Sequence, residues 1–278
     1  MTKNIFKPEH INATEKDLAG NHGIGRYIFL PGSDGRAKEI AGHFDNMTVI
    51  EHPRAHNVYL GTMTHQGKKI DVASVSSGMG CPSMEIILHE LFHLGAKRFL
   101  RIGTAASLQP EVRVGDIVNV QASVRDENTT THYAPLEVPA VASLEFTSAI
   151  LLAAEKLNLS AELHTGLAHC KSSLYAREFL AGPKAEEHKA YLDFLCRYGV
   201  LASEMETAAL FVQSQFYNHQ LSRQGQAPST RVLAGAILAI AGTLEGFDHT
   251  PKASDAIHHS ITLAIETVKT LAAQEWEE

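Results

Sequence analysis

Short, nearly unbroken apolar runs recur along this chain, separated by segments with helical periodicity, and that alternation restricts the fold more than any other feature. The runs are Tyr27–Leu30, Ile70–Val75, Phe99–Ile102, Asp116–Val120 and Val232–Ile240. A strand that reads as continuously apolar is one whose two faces are both covered. Between the runs, Met84–Leu94 places Ile87, Leu91 and Leu94 on one helical face, and Glu145–Leu157 and Glu204–Gln215 also read as helices. In Ser254–Gln274 the residues Ile257, Ile261, Ile265 and Val268 form one stripe. Strands alternating with helices predict an α/β fold, a three-layer α/β/α sandwich around a central mixed sheet that is mostly parallel. With 278 residues, 44% of them hydrophobic, the chain can bury one large core, so a single domain over 1–278 is expected. Asp126–Pro139 and the polar stretch Gln220–Thr230 read as irregular.

The charge balance narrows the partners. Thirty-one acidic against 24 basic residues give a net charge of −7, which argues against a nucleic-acid groove. The three cysteines Cys81, Cys170 and Cys196 contain no CxxC pair, and an odd count reads as reduced thiols. Met1–Phe6 lacks the apolar core of a signal peptide, and no apolar run reaches the length of a membrane span. The expected location is the cytoplasm, with no membrane partner.

Several separated segments suggest an anion site. Leu30-Pro31-Gly32 ends an apolar strand, and Gly32 and Gly35 allow a turn that presents backbone N–H groups. Arg36 follows at the expected start of a helix, where the dipole also favours negative charge. A plain strand–helix turn with a surface arginine is the alternative. Arg101 ends the apolar strand Phe99–Ile102 and is followed by Gly103-Thr104. An arginine is costly to bury without an anionic partner, and its planar fork matches phosphate oxygens. An internal arginine–carboxylate pair would satisfy it equally. Glu204-Met205-Glu206 precedes an alanine-rich helix. The Glu206 carboxylate can accept hydrogen bonds from two vicinal hydroxyls or serve as a helix N-terminal charge. An anion site beside a polyol site suggests phosphate meeting a ribose.

The order of these segments resembles the nucleoside phosphorylase-I family. The resemblance rests on Pro31-Gly32-xxx-Arg36, on Arg54 with Tyr59 and Gly61, on Ser77-Gly78-Met79-Gly80-Cys81-Pro82-Ser83, and on Arg101-Ile102-Gly103-Thr104. Ala134–Ala142, just after His132, resembles the uridine phosphorylase branch, and Glu204–Ala209 resembles the family's ribose motif. The similarity runs from about His10 to the C-terminal helix. It implies one nucleoside phosphorylase domain over 1–278. In that reading Gly32, Arg36, Arg101 and Thr104 bind phosphate, and Arg54 reaches phosphate across a dimer interface. His10, Met205 and Glu206 bind ribose, His10 being lent to the neighbour by a segment, 1–20, that contacts it. The catalytic residues would be Arg101, Glu206 and Arg36. The implied reaction is phosphorolysis of uridine to uracil and ribose 1-phosphate by a homo-oligomer of shared sites, a hexamer, with phosphate as co-substrate and no metal or organic cofactor.

The base-reading segment departs from the family pattern. Uridine phosphorylases carry Phe-Tyr-x-Gly-Gln-x-Arg, whereas this chain has Lys171-Ser172-Ser173-Leu174-Tyr175-Ala176-Arg177-Glu178-Phe179. Arg177 and Tyr175 are the candidate base-binding residues that remain. Ala105-Ala106 replaces Thr-Gly, and Ala241-Gly242-Thr243 supplies neither the pyrimidine branch's Asn-Arg nor the purine branch's aspartate. Asp248 and His249 follow and read as loop residues. Three other readings compete. His89-Glu90-Leu91-Phe92-His93 matches the HExxH zinc protease helix, without a third ligand at a recognised spacing. A nucleoside hydrolase would have no need of three arginines. A catalytically idle nucleoside-binding relative would tolerate the altered base segment.

Overall fold

The apolar runs become neighbouring strands of one mixed sheet. A computed structural model describes residues 6–226 and 230–276. The strands are β1 (Tyr27–Pro31), β2 (Asp45–Ile50), β3 (Val58–His65), β4 (Lys68–Val75), β5 (Arg98–Ser107), β6 (Ile117–Asp126), β7 (Ala140–Val141), β8 (Leu163–Lys171), β9 (Ala202–Glu204), β10 (Leu233–Thr243) and β11 (Gly246–Phe247). The helices are α1 (Glu15–Leu18), α2 (Asp34–Ala41), α3 (Cys81–His93), α4 (Leu144–Lys156), α5 (Leu174–Arg177), α6 (Ala185–Tyr198), α7 (Thr207–Arg223) and α8 (Pro251–Glu275). The sheet order is β11-β10-β6-β8-β9-β5-β1-β4-β3-β2, with β7 beside β6. Strand β10 also pairs with β5, so β5, β9, β8, β6 and β10 close into a ring.

The side-chain alternation of a strand explains why the runs read as continuous. In β1, Ile28 and Leu30 pack with Met84, Leu88 and Leu91 of α3 and with Ala208 and Phe211 of α7. Tyr27 and Phe29 point to the other face, in a cluster with Ile40 of α2, Phe146 and Ile150 of α4, and Ile261 and Val268 of α8. Both faces of the strand are therefore apolar, and helices cover each face, as expected for an α/β/α sandwich in a single domain.

Register then brings the separated motifs together. Leu30 of β1 and Ala236 of β10 flank Arg101 of β5 in parallel pairings. Ala106 of β5 opposes Ser203 of β9, and β9 runs beside β8 with Cys170 opposite Glu204. The C-terminal ends of β1, β5 and β8 thus open at one edge, which is where ligands sit in such sheets.

Both boundaries of α7 differ from the sequence reading. Glu204 belongs to β9, and α7 begins only at Thr207 because Glu204 itself takes the first free amides of that helix. The polar stretch Gln220–Thr230 is helical as far as Arg223, and 227–229 lie outside the described residues. Polarity alone misled there: one face of α7 is exposed at its end, while Tyr217 and Leu221 still pack on the core. Strands β2, β3, β8 and β9 and helix α6 were not read from the sequence. Met1–Ile5 of the N-terminal segment also lie outside the described residues.

Candidate active site

The sheet edge carries a cavity of ≈300 Å³. Its walls include Gly32, Arg36, Gly78, Arg101, Thr104, Met205 and Glu206 at the end nearer β1, β5 and the start of α7, and Lys171, Leu174, Glu178, Ala241 and Phe247 at the end over β8, α5 and the β10–β11 turn. The volume lies in the range of small-molecule sites.

Arg101 organises the first end. It is 3% exposed, and Nη2 donates to Glu206 Oε2. Nη1 donates to Ser77 Oγ at 3.4 Å, and Nε lies 3.4 Å from Glu204 Oε2 without a hydrogen bond of its own. The two carboxylates have different tasks. Glu204 accepts from the Glu206 amide at 2.8 Å, from the Thr207 amide at 3.0 Å and from Thr207 Oγ1 at 2.5 Å. It ties down the start of α7 and braces Arg101 from behind. Glu206 lines the cavity and accepts from the Gly80 amide at 2.6 Å, at the N-terminus of α3.

Electrostatics separate the pair further. Burial raises the Glu204 carboxyl, but Arg101 and the Thr207 and Glu206 donors outweigh it and hold its pKa below the ordinary value. Burial also raises Glu206; Arg101 opposes this, the Glu204 charge adds to it, and the net shift is upward. Burial would lower Arg101, yet Glu206 and Glu204 leave it raised. Arg36 differs from all three. Burial and then the neighbouring Arg101 charge lower its pKa, and it forms no ion pair with a described carboxylate. Two guanidinium groups that repel each other across one cavity mark a place for an anion.

The glycines that shape this end are not those expected. Gly35 lies inside α2, and neither Gly32 nor Gly35 has a positive φ. Gly78 and Gly80 take the left-handed region, at φ +72° and +83°. A Cβ on Gly78 would lie 2.0 Å from Ser83 Oγ, so the turn into α3 requires glycine there.

The structure brings Gly32, Arg36, Arg101, Thr104, Met205 and Glu206 to one cavity. Arg54 and His10 lie elsewhere, on a hollow with His56, Pro82 and Ser83 that meets the first cavity at Met79. Met79 is 87% exposed. His10 is held by Glu90, whose carboxylate contacts His10 Nδ1 at 2.7 Å and accepts from the amides of Glu9, His10 and Ile11. That assigns a structural task to the glutamate of HExxH. The two histidines of that motif are also engaged: His89 Nδ1 meets Tyr217 Oη at 2.7 Å, and His93 Nδ1 pairs with the His89 carbonyl at 2.8 Å. Among the described residues, no group of three or more His, Cys, Asp or Glu side chains could hold a metal ion.

The base-binding expectation for Arg177 and Tyr175 does not match their placement. Arg177 donates to Asp126 at 2.6 and 2.9 Å and lies 4.1 Å from the Tyr191 ring centroid, outside the cavity lining. Tyr175 is 68% exposed and also outside that lining. Asp126 holds Arg177 away from the cavity and also accepts from His169 at 2.8 Å. His169 in turn meets Ser203 Oγ at 3.1 Å, and Ser203 lines the cavity. The sequence reading missed Lys171, Glu178 and Ser203. Lys171 ends strand β8, whose first five residues are only partly buried, and that strand gives no apolar run in the sequence to mark it.

Comparison with known proteins adds the family. The model of the phosphorylase superfamily matches residues 26–273. The chain belongs to that superfamily. It is 34% identical over 262 residues to a protein of Treponema pallidum named uridine phosphorylase, covering 91% of this chain and 92% of the relative. A uridine phosphorylase of Escherichia coli is 33% identical over 205 residues, covering 72% of this chain and 77% of that one. A protein of Halorubrum lacusprofundi named guanosine phosphorylase is 28% identical over 276 residues, covering 96% of this chain and all of the relative. The chain is therefore an enzyme of the nucleoside phosphorylase family. No helix among the described residues is long and apolar enough to cross a membrane.

Proposed function

We propose that this enzyme cleaves the N-glycosidic bond of a ribonucleoside with inorganic phosphate, giving the free base and ribose 1-phosphate. The observation that carries this reading is that Arg36 and Arg101 face one cavity, with Glu206 beside them and one guanidinium left without a carboxylate. Phosphate between the two guanidinium groups relieves their repulsion, and the Thr104 hydroxyl completes its surroundings. Arg101 then exchanges part of its contact with Glu206 for phosphate, and Glu206 turns its freed oxygen to the ribose 2′ and 3′ hydroxyls. Met205 lies under the sugar.

The chemistry follows from this placement. As the C1′–N bond lengthens, positive charge develops on the ribose ring. A fixed phosphate dianion on one face stabilises that charge and forms the new C1′–O bond, while the bonding pair leaves with the base. Little reorganisation is needed because the donors are held by strand and helix termini. Arg36, Arg101 and Glu206 are the catalytic groups in this account, and no cofactor takes part. Arg54 and His10, on the adjoining hollow, serve the cavity of a second copy, so the working unit is a homodimer, or a hexamer made of three such dimers. We assign the enzyme to the cytoplasm, as the cysteine usage suggests.

Relatives named for uridine and for guanosine bracket the base. The segment Ala134–Ala142 resembles the uridine branch but does not itself read the base. That segment is folded around Arg125, which donates to the carbonyls of Ala134, Pro135 and Val138 at 2.6–2.7 Å, and it does not line the cavity of its own subunit. A panel of ribonucleosides, each with and without phosphate, tests the reaction. Release of base together with ribose 1-phosphate, only when phosphate is present, is the expected result. Equal release without phosphate would establish a hydrolase instead. For the shared site, mixing inactive Arg54→Ala and Arg101→Ala proteins should restore part of the activity, and no restoration would remove Arg54 from it.

A further inference from the structure

Resting on that reading of the reaction, we propose that Lys171 and Glu178 are the base-reading residues and that they select a 6-oxo-2-aminopurine, so that guanosine is the preferred nucleoside. Both side chains line the cavity, at the end of β8 and just after α5, while Arg36 stands on α2 beside β1, three strands away in the sheet order. They are 1% and 3% exposed, and Lys171 Nζ lies 2.6 Å from Glu178 Oε2. The contact is close, but its angles do not make a hydrogen bond, and Glu178 Oε2 has no other partner. Lys171 Nζ also donates to the Glu204 carbonyl at a long 3.4 Å. An ammonium has three donors and a carboxylate about four acceptor sites, so most of this pair's capacity is unused. A buried ion pair left in that state is costly unless a ligand completes it.

The unused groups define a pattern. Glu178 offers two oxygens that only accept, and Lys171 beside it only donates. A planar edge that presents one acceptor followed by two donors satisfies both. Guanine has that edge, with O6, N1–H and the 2-amino group in a row. Hypoxanthine has the first two members. Uracil has acceptor, donor, acceptor, so one carboxylate oxygen would face a carbonyl oxygen. Adenine and cytosine present a donor and a bare ring nitrogen, opposite in sense to both side chains. A glutamine at the same place would present one donor and one acceptor and would suit uracil. The carboxylate is what turns the preference towards guanine. Leu174 and Phe247 supply apolar walls for the ring, and Phe247 is steadied edge-on by Phe179 with centroids 5.5 Å apart.

The test compares kcat/KM for guanosine, inosine and uridine at saturating phosphate, together with calorimetric binding of each nucleoside without phosphate. The wild-type enzyme should rank guanosine above inosine above uridine, with guanosine favoured over uridine by at least ~100-fold, because buried polar groups reject a mismatched edge strongly. Glu178→Gln should lower guanosine activity by at least ~10-fold and narrow or invert the ranking. Preferred phosphorolysis of uridine by the wild type would overturn the base assignment and leave phosphorolysis standing. If no nucleoside is cleaved, phosphorolysis fails, and binding still decides: guanosine binding no tighter than uridine overturns the assignment. The wild-type ranking decides the matter even if Glu178→Gln does not fold.

Discussion

The two ends of the cavity are built differently. At the anion end, Arg101 and Glu206 are anchored to strand and helix termini, and Glu204 spends its oxygens holding both. At the base end, a single buried ion pair stands between β8 and the short helix α5, with aromatic side chains that remain partly exposed. The first end binds groups common to every ribonucleoside reaction of this kind, and its geometry leaves little room for change. The second binds the part that varies. A rigid electrostatic end joined to an adjustable reading end lets one scaffold keep its chemistry while its substrate changes.

Substitutions can break or sharpen this contrast. Arg101→Ala should have the largest effect, a loss of ~10³-fold or more in kcat/KM, because a transition-state contact disappears and two carboxylates remain buried without their partner. Steady-state kinetics with the best nucleoside checks this; near-normal turnover would place the anion site elsewhere. Glu206→Gln should cost ~10²-fold, since a charged acceptor for the sugar hydroxyls becomes a neutral one.

The same residue sets an acid limit. Glu206 must be ionised to work and its pKa is raised. Activity should therefore fall as pH drops through a value above the ordinary carboxylate range, while Glu204, held low, is still charged. A kcat/KM profile that stays flat until pH ~4, the usual carboxylate value, would contradict this. Arg36→Ala should be milder, ~10- to 100-fold, appearing mainly as a higher KM for phosphate, because Arg101 remains. An unchanged phosphate KM would remove Arg36 from the site.

At the base end, Phe247→Ala should cost only ~2- to 10-fold, the value of one aromatic contact, and should be read in KM for the nucleoside with phosphate KM unchanged. Smallest of all, His93→Ala should leave activity unchanged and stability within ~0.5 kcal/mol, since the ring stacks on Phe6 near the surface. Stoichiometric zinc that disappears with this substitution would revive the HExxH reading.

The contrast also explains what the sequence could reveal. Arg101 was legible because a guanidinium in an apolar strand demands an anionic partner, and Glu206 because of its place before an alanine-rich helix. The alternating faces of β1 and the stripe of α8 likewise gave the layers directly. Gly32 does line the cavity, but the left-handed turn beside it belongs to Gly78 and Gly80, and only backbone dihedrals reveal that. Arg177 was misplaced because a sequence cannot show that Asp126, fifty-one positions away, captures its fork. Lys171 and Glu178 went unseen because β8 was not read as a strand. Without it, nothing marked Lys171 as standing at the same sheet edge as Arg101.

The central claim is that an inorganic oxyanion is held between Arg36 and Arg101 against a ribose gripped by Glu206. It is tested most directly by following ribose 1-phosphate formation from guanosine and uridine as phosphate is titrated from zero. The account predicts no base release at zero phosphate, saturation with phosphate, and one ribose 1-phosphate for each base freed. Base released at the same rate without phosphate, or free ribose as the product, would contradict it.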